Sequence, residues 1–90
     1  METKFTKGKW KRIKLPKTNY YPERNEIQYG KDGECVAEFV ANDYDALLIS
    51  KAPEMFEMIQ ELLKELSFHG YNNSTTIYNA KQLLKEVTEI

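Results

Sequence analysis

A proline divides the strongest pattern in this chain and thereby limits what it can become. The stretch Asn42 to Leu66 reads NDYDALLISKAPEMFEMIQELLKEL. Pro53 lacks a backbone N–H and fits a helix's first turn but not its interior. The stretch is therefore two consecutive helices, a short one ending before Ala52-Pro53 and a longer one beginning there. Asn42 is placed to cap the first, with Asp43 and Asp45 favourable near its positive end, and Tyr44, Leu47 and Leu48 fall at i, i+3, i+4 as its apolar side. In the second, Met55, Phe56, Ile59, Leu62, Leu63 and Leu66 make an apolar stripe, and Glu54, Glu57, Glu61 and Glu65 fall on the opposite side. Burying six such side chains would contribute ~1.5–3 kcal/mol each, so this helix is expected to supply most of the core.

The rest of the chain arranges itself around that stretch. Residues 1–8 show no apolar periodicity and are expected to be flexible. Lys9 to Leu15 alternates, Ile13 and Leu15 on one side and Trp10, Arg12 and Lys14 on the other, as in a strand with one solvated face. Pro16 ends it, and Lys17 to Asn25, with Asn19, Pro22 and Asn25, reads as a loop carrying two adjacent tyrosines. Glu26–Tyr29 and Glu34–Ala41 are the arms of a hairpin closed around Gly30-Lys31-Asp32-Gly33. In the second arm Cys35, Ala37, Phe39 and Ala41 share a face, which places Phe39 inward and Glu38 outward. Gly70 ends the long helix, with His69 near its negative end. Asn72-Asn73-Ser74 turn the chain into a last helix, about Thr75 to Glu89, with Ile77, Ala80, Leu84 and Val87 as its seam and Leu83 beside it. A connection this short favours antiparallel helices. The expected architecture is one α+β domain over residues 1–90: a small antiparallel sheet of two or three strands in 9–41, then three helices in 42–90 packed on it.

Charge is unevenly spread. Through Arg24 eight Lys and Arg stand against two glutamates, a formal +6; from Asn25 onward five stand against twelve acids, a formal −7. One cysteine, Cys35, makes no internal disulfide and suits a reducing compartment. Met1 to Lys17 hold no apolar core of a signal peptide, and the run Ala46-Leu47-Leu48-Ile49 is far short of the ~20 residues that span a bilayer. The expectation is a cytoplasmic protein with no membrane partner.

Catalysis finds little support. Cys35 and His69 each stand alone, and a cysteine on a buried strand face is ordinarily a small hydrophobe. Histidines and cysteines do not cluster at metal-ligand spacing, and no Gly-rich phosphate loop is present. We therefore expect no catalytic residues, cofactor or metal. Two surfaces remain as partner-binding candidates. Lys9, Trp10, Lys11, Arg12, Lys14, Tyr20 and Tyr21 combine cations for phosphates with rings for bases. Their alternative reading is structural: Trp10 in the core, lysines discouraging edge-to-edge association, or the basic segment lying against the acidic remainder. The row Glu54, Glu57, Glu61 and Glu65 could imitate phosphates in a basic groove, or be the solvated face of an amphipathic helix.

Two segments resemble a widespread family of small phage and prophage proteins. Phe5-Thr6-Lys7-Gly8-Lys9-Trp10 is similar to its opening His-Thr-Pro-Gly-Pro-Trp, with lysine at both proline positions. The run from Tyr44 to Ile59 is similar to its Asn-Ala-Arg-Leu-Ile-Ala-Ala-Ala-Pro-Glu-Leu-Leu-Glu-Ala-Leu segment, keeping Leu48-Ile49 and Ala52-Pro53-Glu54 at their spacing. The resemblance implies a non-catalytic protein of the bacterial host's cytoplasm that binds a host or defence-system protein, such as a CRISPR effector, with or without RNA. The competing expectation is a small nucleic-acid-binding module using the basic aromatic segment. A homodimer is a third arrangement, burying part of the two helical seams across a two-fold axis.

Overall fold

A computed structural model describes residues 5, 6, 8–71 and 73–88. The expectations for residues 1–4 and 7, for Asn72 and for Glu89 lie outside the described residues. The element order is β1 (Trp10–Leu15), β2 (Arg24–Tyr29), β3 (Glu34–Val40), α1 (Asp43–Ser50), α2 (Ala52–Phe68) and α3 (Thr75–Glu86). The fold is α+β, a three-stranded antiparallel sheet in the order β1-β2-β3 followed by three helices. The chain forms two compact units, Gly8–Pro53 and a second that takes in Phe5 and Thr6 with the chain from Glu54 onward.

In the sheet unit, Gly30 and Gly33 adopt φ of 74° and 66° and close the four residues between β2 and β3. Strand β1 pairs with β2 without interruption, so Trp10, Arg12 and Lys14 stand opposite Tyr29, Ile27 and Asn25. Strand β3 pairs less regularly. Asn25 faces Val40, Ile27 faces Ala37 and Gln28 faces Cys35, which leaves one extra β3 residue in each interval. These bulges overturn the alternation expected for β3. Phe39 sits at φ 57° and is 51% exposed, so its ring points to solvent. Cys35, expected on a buried face, is exposed.

Helix α1 starts as its sequence requires, the Asn42 side chain accepting from the backbone N–H groups of Tyr44 (2.8 Å) and Asp45 (3.0 Å). It contacts all three strands. Its inward side is Ala46, fully buried, and Ser50, 3% exposed; the expected apolar side of Tyr44, Leu47 and Leu48 faces out. Small residues win the inward position because they let the helix approach the sheet closely. The helix stands over the face that carries Arg12, Lys14, Asn25 and Ile27.

Asn25 sits at the centre of this unit. Expected in a loop, it is instead a fully buried residue of β2. Its side-chain oxygen accepts from Arg12 Nε of β1 at 3.0 Å, and its amide donates to the Val40 carbonyl of β3 at 2.9 Å and to Asp43 of α1 at 3.0 Å.

In the helical unit, α2 ends in a Schellman motif: Tyr71 N–H donates to the Leu66 carbonyl at 2.8 Å, Gly70 N–H to that of Ser67 at 3.0 Å, and Gly70 sits at φ 83°. Ser74 caps α3, accepting from Ile77 N–H at 3.1 Å. Leu66, Thr76 and Ile77 line one cleft across the short connection, while α2 and α3 approach each other closely at few points, so the expected antiparallel packing along their lengths does not appear. The expected stripe of α2 is split. Phe56 is buried, with the half-buried Phe5 ring edge-on to it at 5.1 Å, and Ile59 and Leu63 are half-buried, but Met55, Leu62 and Leu66 are exposed. On α3, Ile77 and Leu84 are buried while Leu83 and Val87 are exposed.

Two stability predictions follow from these contacts. Asn25→Ala strands three partners and is expected to cost about 2–3 kcal/mol. Gly70→Ala has open space for its new Cβ, so only its positive φ acts, at about 1 kcal/mol. Urea denaturation with an unchanged m-value checks both.

Candidate functional site

The loop between β1 and β2 is held by Thr18. Its hydroxyl accepts from Tyr20 N–H at 3.2 Å and Tyr21 N–H at 3.0 Å, and its own N–H donates to the Tyr21 carbonyl at 2.8 Å. This turn leaves Tyr20 89% exposed and directs Tyr21 onto Phe39, their rings 5.4 Å apart. The Arg24 guanidinium lies 5.0 Å from the Tyr21 ring and 5.3 Å from that of Phe39. A cation held against two half-exposed rings offers a rigid surface of apolar area with one charge-assisted donor set, a combination enriched at protein interfaces.

A non-glycine residue at φ near +60° costs on the order of 1–3 kcal/mol and persists where its surroundings over-determine it. Phe39 is so held: Ala37 and Val40 on either side are fixed by pairing with β2, and the Val40 carbonyl is bonded to Asn25. Sequence reasoning missed Arg24 and Phe39. The signal was hidden because a bulge changes which way a strand residue points, and alternation cannot register it.

Of the basic candidates, the structure groups some and disperses others. Lys14 bridges Glu23 at 3.0 Å and Asp43, beside a cleft of about 390 Å³ lined by those three with Ala41, Asn42 and Tyr44. The Asp43 partner raises the Lys14 pKa first, Glu23 second; Lys14 and then Asn25 lower that of Asp43. Arg12 is engaged by Asn25. Lys9 and Lys11 are exposed, and Trp10 is half-buried at the start of β1. The basic segment is thus joined in part to acids of its own unit. Glu54, Glu57, Glu61 and Glu65 are all exposed on α2.

The lone nucleophile and base stay apart from any constellation. Desolvation first, then Glu26 and Glu38, raise the Cys35 thiol pKa above its ordinary value, which disfavours the reactive thiolate. His69 directly follows the last residue of α2, its ring edge-on to Phe68 at 5.3 Å. Among the described residues, no three His, Cys, Asp or Glu side chains gather as metal ligands, and no helix is long and apolar enough to cross a membrane.

A family model described as Salmonella phage P22 protein Y8K6 matches residues 1–88. The chain belongs to that phage protein family. The match takes in both the sheet and helical units, including the last helix, which the motif resemblance had left uncovered. No curated protein and no solved structure matches the chain.

The Asp43 contacts generate a pH dependence. A carboxyl whose folded pKa is lowered stabilises above its unfolded pKa of about 4, and that contribution is lost as pH falls through the folded value. The wild-type melting temperature is therefore expected to drop below about pH 4 more steeply than that of Asp43→Asn, measured by thermal melts between pH 2 and 7.

Proposed function

We propose that this phage protein acts without catalysis, by holding a protein component of the host's defence, such as a CRISPR effector, through the aromatic and basic surface of its sheet unit. The observation that carries the reading is the exposed stack of Tyr21, Arg24 and Phe39, with Phe39 kept at a strained φ, beside the outward Tyr20. Strain retained at an exposed aromatic contributes nothing to solubility. The β3 bulge accounts for the φ, and a partner that uses the ring accounts for a large aromatic there in place of glycine. Tyr and Arg anchors of this kind commonly dominate interface energy, and membership of a phage protein family agrees with an accessory binding role.

A second reading is a nucleic-acid module. It is favoured by exposed Lys9, Lys11 and Tyr20, which offer cations for phosphates and a ring for stacking. The engagement of Lys14 by Glu23 and Asp43, and of Arg12 by Asn25, takes positive charge away from that use. Protein contact is therefore the stronger reading.

Pull-down from host lysate at near-physiological salt, followed by mass spectrometry, is expected to recover a specific protein with the wild type. Capture should fall at least tenfold with Phe39→Gly, a change that removes the ring while relieving the backbone and so leaves stability within about 1 kcal/mol of wild type. Recovery of no specific partner would sink the proposal. Binding to labelled RNA or DNA that weakens steeply with salt, and is lost in Lys9→Gln with Lys11→Gln, would favour the second reading instead.

A further inference from the structure

Helix α2 carries more apolar surface than its own unit covers. At about 100° per residue, Phe56, Ile59 and Leu63 share the covered side. Met55, Met58, Leu62 and Leu66 lie on the adjoining side, 46%, 55%, 49% and 39% exposed. Helix α3 repeats the arrangement: Ile77 and Leu84 are covered, and Leu83 and Val87, on the adjoining side, are half-exposed. On each helix the exposed strip is displaced from the covered one in the same rotational sense. One cleft brings Leu66 of α2 together with Thr76 and Ile77 of α3, so the α2 strip runs up to the start of α3.

Among the described residues, the charges bordering these strips are of one sign. Glu54, Glu61 and Glu65 border the strip on α2, and Glu86 borders it on α3, whereas Lys64, Lys81 and Lys85 fall on the far side of their helices. The strip also ends in relief. A cleft of about 320 Å³ is lined by Leu62, Glu65, Leu66, His69 and Tyr71, and one of about 400 Å³ runs on from Leu66 and Tyr71 to Thr76 and Ile77. Each has room for one large apolar side chain, and Glu65 stands in the lining of the first.

We propose that this face docks a basic amphipathic helix of a partner protein. An apolar helix stripe laid into such a trough buries Leu- or Phe-like anchors at helical spacing, and flanking Lys or Arg meet the glutamates. The two methionines suit a groove that adapts to its occupant. A second copy of this chain is disfavoured, because it would bring acidic rims together. Nucleic acid and anionic lipid are disfavoured by the same charge. The inference rests on the reading of the chain as a binding protein but uses a surface apart from the Tyr21, Arg24 and Phe39 stack.

The test uses the full chain and a fluorescein-labelled 18-residue helical peptide of Leu and Lys with one apolar face. Controls are a scrambled peptide of the same composition and a Leu and Glu peptide with the original pattern. Anisotropy is expected to show micromolar binding of the patterned Leu and Lys peptide, at least tenfold weaker binding of the scramble and none of the acidic peptide. Leu62→Ser with Met58→Ser, both at exposed positions, should weaken binding at least tenfold with circular dichroism unchanged. Glu54→Gln, Glu61→Gln and Glu65→Gln together should weaken it and flatten its salt dependence. Equal binding of the scramble, or full binding by the triple glutamine variant, overturns the proposal. So does a dimer in sedimentation that Leu62→Ser dissociates, which would assign the face to a second copy. Because the probe is synthetic, its failure is separate from failure to capture a host protein through the sheet unit.

Discussion

The sheet unit depends on the Asn25 side chain. Without water, each of its polar atoms must find a partner or cost on the order of 1–3 kcal/mol, and its partners lie one each on β1, β3 and α1. Satisfying one amide therefore fixes the height of the Arg12 side chain, the register of β3 at Val40 and the seat of α1 through Asp43. The bulge in β3 follows from the same requirement. Val40 must face Asn25 while Ala37 faces Ile27, and the extra residue between them is accommodated by turning Phe39 to positive φ. The strained, outward aromatic of the candidate site is thus held by a buried hydrogen-bond network on the other side of the same strand.

That network also decides what becomes of the basic segment. A formal +6 at the start of the chain and −7 beyond it allow either a ligand-binding field or internal neutralisation, and the structure divides the residues between the two. Lys14 pairs with Glu23 and Asp43 and Arg12 is hydrogen-bonded to the uncharged Asn25 amide; Lys9, Lys11 and Tyr20 stay exposed. What remains at the surface is mixed, aromatic and only mildly basic, which fits protein contact better than a phosphate backbone.

The helical unit shows the opposite economy. A wide apolar arc on α2 and a matching one on α3 are each only half used. Phe56, Ile77 and Leu84 are covered, whereas Met55, Met58, Leu62 and Leu66 on α2 and Leu83 and Val87 on α3 are exposed. Small domains bury a low share of their surface, but an acid-bordered strip of four large apolar side chains along one helix, Met55, Met58, Leu62 and Leu66, exceeds what scarcity of core explains, and large exposed apolar patches commonly mark interaction sites.

Local chemistry determined much of this protein from the sequence alone: the Asn42 cap, the division at Pro53, the Gly70 stop, the Gly30 to Gly33 turn, the three helices and the order of sheet before helices. Each rests on a residue whose backbone preferences or side-chain hydrogen bonds act within a few positions, so no distant partner is needed to read it. Tertiary structure decided the rest. Asparagine favours turns, so the sequence by itself points to a loop at Asn25, and only partners from three other elements make it a buried strand residue. Alternation placed Phe39 inward until pairing with β2 forced a bulge. Periodicity drew one stripe on α2 and could not say how much of it would be covered, because coverage depends on what lies across from a helix, and a sequence pattern records only the helix's own side of that contact.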